Sequence, residues 1–291
     1  MTGEPGIQIE VPQAVISKQG RANLEAVYAT AANMPVKVVP GESIVEETRQ
    51  NDSDPWYGGG MLEAPGFNPP NDLNPYLFCS TGFAVLATGN YGRLLSARHC
   101  DDDLANNICN RAWKDGAHDN LTVGDASVDC RVNNDTMLID PIGGTDGWVH
   151  GGPWNATSSH SRYHLKVAGS DRAFQNEWVC ESGANSGEHC GLQIEEATLR
   201  QWNCGPGQCH GWTADDRNSS TMTSAGGDSG GPVYHPRGDG RVGARGIHYG
   251  GTGNPTCSPV RFAVSNCSNK STFVDIVRIL NQWDVDIETT P

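Results

Sequence analysis

The feature that most limits this chain is the way its apolar residues are dealt out beyond residue 76. They come in short runs, often alternating with polar residues, each closed by glycine, proline or asparagine. Residues 78–86, 93–97, 136–139, 163–168, 178–180, 191–194, 232–234, 243–249 and 260–264 fit this pattern. A two-residue period buries one face of a strand, and frequent turn residues keep strands short. The pattern therefore predicts an all-β barrel or sandwich. The 36 glycines and 17 prolines supply the turns and weigh against long helices. With 291 residues the chain can bury one large core or two small ones.

Other segments read differently. Residues 21–33 predict a short helix with Leu24, Val27, Tyr28 and Ala31 on one side, followed by a strand-like stretch at 34–39. Residues 40–76 lose periodicity, contain Gly58-Gly59-Gly60 and read as a linker. Near the other end, Phe273, Ile276, Val277, Leu280 and Trp283 recur at three- and four-residue steps, which predicts a docking helix over 272–283.

A formal charge of −14 argues against nucleic acid as a partner, since phosphate binding needs concentrated Lys and Arg. No run approaches the roughly 18 apolar residues of a membrane span, so no membrane association is expected. Ten cysteines allow two readings. The cluster from Cys204 to His210 could hold zinc, but the spread of the other cysteines through Gly-rich sequence favours disulfides and no metal. Disulfides imply an oxidising, extracellular location. Residues 1–20 lack a basic start followed by an apolar run, so no signal peptide is read there and secretion rests on the cysteines alone.

Three segments carry chemistry. The first is Gly226-Gly227-Asp228-Ser229-Gly230-Gly231-Pro232. A serine hydroxyl is a poor nucleophile and needs a base beside it and donors for the developing oxyanion. The glycines leave room for a substrate carbonyl and let the N–H groups of Gly227 and Ser229 point at it. The second is Ser96-Ala97-Arg98-His99-Cys100 after an apolar strand, where His99 is the candidate base. A disulfide at Cys100, with Cys79 as partner, would pin the histidine backbone. The third is Asn134-Asp135-Thr136, where Asp135 opens an apolar strand and could accept the other N–H of His99. Asp140 ends that strand, and Asp125 and Asp129 lie in a polar stretch; these are the weaker competitors.

Together these segments, in the order His, Asp, Ser, resemble the chymotrypsin-like serine peptidases, and further matches are similar to the bacterial alpha-lytic protease and streptogrisin branch. Val179-Cys180-Glu181-Ser182-Gly183 continuing to His189-Cys190-Gly191 looks like that branch's disulfide hairpin. Gly246-Ile247-His248-Tyr249-Gly250-Gly251-Thr252-Gly253 looks like its substrate-pairing strand, with Tyr249, Gly250 and Gly251 at the specificity pocket. The resemblance covers residues about 77–287, and residues 21–60 more loosely resemble the end of a propeptide.

It implies two packed six-stranded antiparallel barrels, a C-terminal helix and a pro-region-like N-terminal extension. Residues 1–76 would be the extension, 77–155 the first barrel with His99 and Asp135, and 156–291 the second barrel with Ser229. The implied activity is a secreted, zymogen-derived serine endopeptidase, monomeric, cofactor-free and acting on polypeptides through an acyl-enzyme. The resemblance implies the hairpin disulfide Cys180–Cys190 beside Cys79–Cys100. The family's cysteine shortly before the nucleophile is missing here, so Cys257 is expected to pair with Cys267, the nearest choice, and Cys204–Cys209 and Cys109–Cys130 would complete the set.

The match has departures. The branch usually has an arginine after the first hairpin cysteine, paired with the aspartate before the nucleophile; here that position is Glu181. An unpaired buried carboxylate is costly, so Asp228 needs another partner, with Arg172, Arg162 or a freed N-terminal amine as candidates. Tyr249 replaces a serine that often supports the buried aspartate. Thr223 stands where a lysine- or arginine-selecting aspartate would be, and the open glycines suggest a large apolar or aromatic substrate side chain.

Two other function classes were weighed. Gly227-Asp228-Ser229-Gly230-Gly231 also satisfies the α/β-hydrolase elbow, but only His235 and His248 follow the serine and no parallel strand–helix alternation is present. A protease fold that has lost turnover and serves as a binding module is the second. Asp101-Asp102-Asp103 reads as a solvated loop rather than a calcium site.

Overall fold

The computed structural model describes residues 7–41, 48–65, 78–101, 109, 112–116, 121–126, 130–157 and 163–291. It divides into two compact units, Met1–Glu46 and Glu47–Pro291.

In the smaller unit, strand Ile7–Pro12 leads into helices Gln13–Gln19 and Arg21–Ala32 and then strand Val36–Gly41. The two strands pair in parallel, with Ile7 opposite Val36. Val11, Ile16, Leu24 and Val38 form its core. The second helix stops at Asn33, whose left-handed backbone asparagine tolerates better than most residues.

The larger unit is built on two sheets. One has nine strands among the described residues, including Ala84–Ala87, Tyr91–Ala97 and Thr136–Pro141. The other has ten, including Trp178–Gly183, Gly187–Ile194, Pro232–Pro236 and Val242–Thr252. Pairing is antiparallel except where Thr145–His150 meets Trp56–Gly58 and where His164–Ser170 meets Val242–Thr252. The expected all-β architecture is thus present. Alternation along the strands places Leu62, Leu94, Trp113, Val123, Met137 and Ile139 in one core, and Val179, Leu192, Ile194, Trp212, Val233 and Phe273 in another. A third cluster draws Phe83, Leu95 and Leu138 from the first sheet together with Tyr234, Ile247 and Val274 from the second. Each such buried side chain contributes roughly 1.5–3 kcal/mol, so this shared layer fixes the sheets against each other.

The C-terminal helix runs Ile276–Trp283, starting later than predicted. Lys270–Asp275 is instead a strand, paired to both Val242–Thr252 and Gly207–Asp215. Phe273 fell on the helical period only because the chain switches from strand to helix right after it. Asp275 caps the helix, its side chain accepting from the Arg278 N–H at 3.1 Å. The expected strand at 260–264 is a loop. Its apolar residues earn their burial by packing: Phe262 and Val264 lie against Met61, Phe78 and Ala184.

The organisation also differs from the linker reading of 40–76. Trp56–Gly58 and Met61–Glu63 are strands, and Trp56, Tyr57, Met61 and Leu62 are buried. The glycines there serve close approach, since a Cβ on Gly58 would lie 2.8 Å from the Gly82 carbonyl oxygen. By compactness the larger unit begins at Glu47 rather than at residue 77. Passage from the first sheet to the second comes between Pro141 and Thr145 rather than at 155, because Thr145–His150 pairs with His164–Ser170.

Candidate active site

His99 sits on a 3-10 turn, Arg98–Cys100, at the end of strand Tyr91–Ala97. The Cys79–Cys100 disulfide ties that turn to strand Phe78–Ser80. Strand Thr136–Pro141 pairs antiparallel with Tyr91–Ala97, Thr136 opposite Ala97. That register brings the residue before Thr136 beside the residues after Ala97. Accordingly His99 Nδ1–H donates to Asp135 Oδ2. Asp135 is buried, while the imidazole is 24% exposed and so reachable from outside. Asp140 faces elsewhere, pairing with Arg93 at 3.0 Å. Asp125 is exposed, and Asp129 lies outside the described residues.

Ser229 follows the short strand Ser224–Ala225 on a loop that only glycine can follow at two points. Gly227 has φ +100°, and a Cβ there would stand 2.1 Å from the Phe78 ring; Gly230 has φ +87° and the same problem with Ser96. The N–H groups of Gly226, Asp228, Gly230 and Gly231 are taken by the carbonyls of Asn266, Ala225, His248 and Asp228, at 2.9–3.0 Å. Among the described residues, the N–H groups of Gly227 and Ser229 have no such acceptor. They are the two donors expected from the glycine pattern. Ser229 and His99 line one cleft of about 410 Å³, together with Gly227, His248, Tyr249, Gly250 and Gly251. An added Cβ on Gly250 meets nothing within 4 Å, so this wall opens on free space.

Among the described residues, the partners of Asp228 are backbone N–H groups and a hydroxyl, not an arginine side chain. Its Oδ1 accepts from the N–H groups of Asn185 (2.9 Å) and Ser186 (3.0 Å). Its Oδ2 accepts from the Ala225 N–H (2.7 Å) and the Ser186 hydroxyl (2.5 Å). Arg172 pairs with Asp275 instead, at 3.4 Å, and Arg162 lies outside the described residues. Burial, with Glu181 nearby, holds the Asp228 carboxyl above its ordinary range despite these donors. Sequence reading missed Asn185 and Ser186 because neutral donors carry no charge signature.

Glu181 is also compensated, by His248. The His248 Nδ1 lies 3.0 Å from Glu181 Oε1 and 3.0 Å from the Ser271 hydroxyl, which in turn donates to Glu181 Oε2. Burial alone would depress the imidazole pKa, but the charge and hydrogen bond of Glu181, joined by the Asp228 charge, together outweigh it and the net shift is upward. The Tyr249 ring stands edge-on to His99 (5.5 Å, 80°) and against Trp202 (5.6 Å).

Five disulfides are present: Cys79–Cys100, Cys109–Cys130, Cys180–Cys190, Cys204–Cys209 and Cys257–Cys267. The zinc alternative loses its ligands, since Cys204 and Cys209 are bonded to each other. Of the acidic run after His99, Asp102 and Asp103 lie outside the described residues.

No protein-family model matches the sequence, and no curated protein matches it. Solved structures do. A glutamic acid-specific serine protease that uses a histidine triad in substrate binding aligns over 80% of this chain and 100% of its own, at 18% identity and TM-score 0.54. Nocardiopsis protease aligns over 80% and 98%, at 20% identity and TM-score 0.55. Thermobifida fusca protease A aligns over 80% and 98%, at 19% identity and TM-score 0.53. With its two β-sheets and terminal helix, the chain has the chymotrypsin-like two-barrel fold of the bacterial serine proteases.

Proposed function

We propose that this protein is a secreted serine endopeptidase that works through Ser229, His99 and Asp135. The observation that carries this reading is that His99, its Nδ1 held by the Asp135 carboxylate, lines the same cleft as Ser229. Nδ1 is committed to Asp135, so Nε2 is the nitrogen left to take the Ser229 proton. Ser229 Oγ then bonds to the peptide carbonyl carbon, and the oxyanion is received by the free N–H groups of Gly227 and Ser229. His99 Nε2 passes its proton to the leaving amine as the C–N bond breaks. Water, deprotonated by the same nitrogen, frees the acid product from the acyl-enzyme.

The substrate is a polypeptide, taken by a monomer without a cofactor. Five disulfides support an extracellular location. Met1–Glu46, a compact unit apart from the catalytic one, supports a zymogen form whose pro-region ends there. The solved structures of similar fold are proteases, one of them specific for glutamic acid.

An inactive binding module is the competing reading. It draws on Glu181 and Tyr249, but Glu181 is paired with His248 and Tyr249 packs beside the imidazole. An active-serine-directed fluorophosphonate separates the two. Labelling of the wild-type chain that vanishes in Ser229→Ala, with turnover of a peptide substrate, is the expected result. No labelling of the processed protein would overturn the enzyme.

A further inference from the structure

Asp228 is fixed by a turn, and the turn is fixed by a cation from a distant part of the chain. Arg49 is fully buried. Its Nη1 donates to the Gly183 carbonyl (2.8 Å) and the Ser182 hydroxyl (2.9 Å), and its Nη2 to the Gly151 and Gly152 carbonyls (both 2.9 Å). None of these acceptors is a carboxylate. Burial lowers the guanidinium pKa, opposed by the charges of Asp228 and Glu188 among others.

The neighbouring Gln50 grips the next residue of the turn, its Nε2 donating to the Ala184 carbonyl at 2.5 Å. The far side of the turn then supplies the Asn185 and Ser186 N–H groups to Asp228. Asn185 Nδ2 also donates to the Gly226 carbonyl (2.7 Å). The Ser80 hydroxyl bridges the turn to the loop, accepting from the Ala184 N–H (2.8 Å) and donating to the Gly227 carbonyl (2.9 Å). Gly183 itself is pressed so close that a Cβ would lie 2.1 Å from the Asp228 carboxyl carbon.

We propose that Arg49 is a positioning residue for the oxyanion loop: by holding Gly183 and Ser182 it sets the turn that clamps Asp228, and so aims the Gly227 and Ser229 N–H groups. It touches no reacting atom. The kinetic consequence rests on the peptidase reading; the structural one does not.

The test uses the full chain with Arg49→Gln, with Arg49→Lys and Ser182→Ala as milder variants should the first fail to fold. Amide hydrogen exchange is followed by mass spectrometry, and kcat and KM are measured per titrated active site. Peptides covering 182–187 and 224–230 should exchange at least about fivefold faster in the variants, while the C-terminal helix is unchanged. Loss of an oxyanion donor costs about 10²–10³ in kcat, so a misaimed pair should lower kcat per site about 10- to 100-fold, with KM within about threefold. Affinity for a peptide boronate, whose tetrahedral adduct uses the same donors, should fall in parallel with kcat. Unchanged exchange in both peptides would overturn the proposal whether or not the protein is an enzyme. A reduced titratable fraction with wild-type kcat per site would overturn it too, by leaving Arg49 a merely stabilising role. A wild-type chain that shows faster exchange in its variants but no turnover would sink the peptidase reading alone.

Discussion

Asn134 Nδ2 donates to Gln282 Oε1 at 2.7 Å, tying the C-terminal helix to the turn that presents Asp135. That turn needs restraint. Asn134 (φ 60°) and Asp135 (φ 46°) both occupy the left-handed region, which costs non-glycine residues of order 1–3 kcal/mol each. Gln282 Nε2 returns a bond to the Asn133 carbonyl (2.9 Å), and Trp283 Nε1 reaches Thr136 (2.9 Å). From the other side, the Gln208 and His210 N–H groups donate to the side chains of Asn133 and Asn134. Gln282→Ala removes two of these bonds and should destabilise the fold by about 1–2 kcal/mol. It should also lower kcat severalfold with KM little changed. Thermal melting and steady-state kinetics check both; a drop in stability with unaltered kcat would confine the helix to a structural part.

Asp135→Asn tests the imidazole's orientation directly. An amide in place of the carboxylate can present its NH₂ to Nδ1, turning the ring to the tautomer that leaves Nε2 protonated and useless as a base. In the Ser-His-Asp arrangement this exchange costs about 10⁴ in kcat. The expected result is a fall of that order with wild-type peptide binding. Residual activity above about a tenth would mean another acid supports His99.

Much of this was legible in the sequence, and the reasons are local. Gly227 and Gly230 could be read because a positive φ leaves a residue-type signature, and His99 because it follows an apolar strand and precedes a cysteine. Asp135 opens an apolar strand and Asp140 ends it, which is enough to favour Asp135, while the register of Thr136 with Ala97 appears only in the fold. Arg49, Gln50, Asn185, Ser186 and Gln282 were not legible. Each acts through contacts of long sequence separation, from Asn185 with Asp228 to Arg49 with Gly183. Arg49, Gln50, Asn185 and Ser186 also sit in polar, turn-rich sequence that looks like linker or surface, whereas Gln282 lies within the predicted helix. The 48–65 segment misled for the same reason, its four large apolar residues being too few to show a period.

Substrate choice should follow the charge of the cleft. Among the described residues no carboxylate lines it, and its walls carry Ser224, Asn266 and Ser268 beside His248, a more polar lining than the open glycines suggested. A lysine or arginine side chain would meet hydroxyls, an amide and an imidazole whose positive form Glu181 favours. Glutamine and glutamate can use those donors. Cleavage-site profiling on a peptide library should therefore show Lys and Arg disfavoured at the residue before the cut by tenfold or more relative to Gln or Glu, as expected for buried polar groups left unpaired. A profile dominated by Lys and Arg would contradict it.

The His248–Glu181 pair should make stability depend on pH in a definite direction. The ordinary value for a histidine is 6.5, and in the folded protein burial, which lowers it, is overcome by the charge and hydrogen bond of Glu181 with the Asp228 charge, so that it rises. The folded state then holds its proton where the unfolded chain has begun to lose it. The pair's stabilisation is complete below 6.5 and drains away as pH rises through the folded value. Asp228 acts in the same sense at lower pH, since burial raises it from an ordinary 3.8 and the folded state keeps that proton longer too. Melting temperature should thus fall as pH rises above about 6.5, the ordinary histidine value. In His248→Gln the starting temperature should be lower, because Glu181 loses its cation, and the fall across that range should be shallower. Parallel curves for the two proteins would mean that His248 is neutral in the fold.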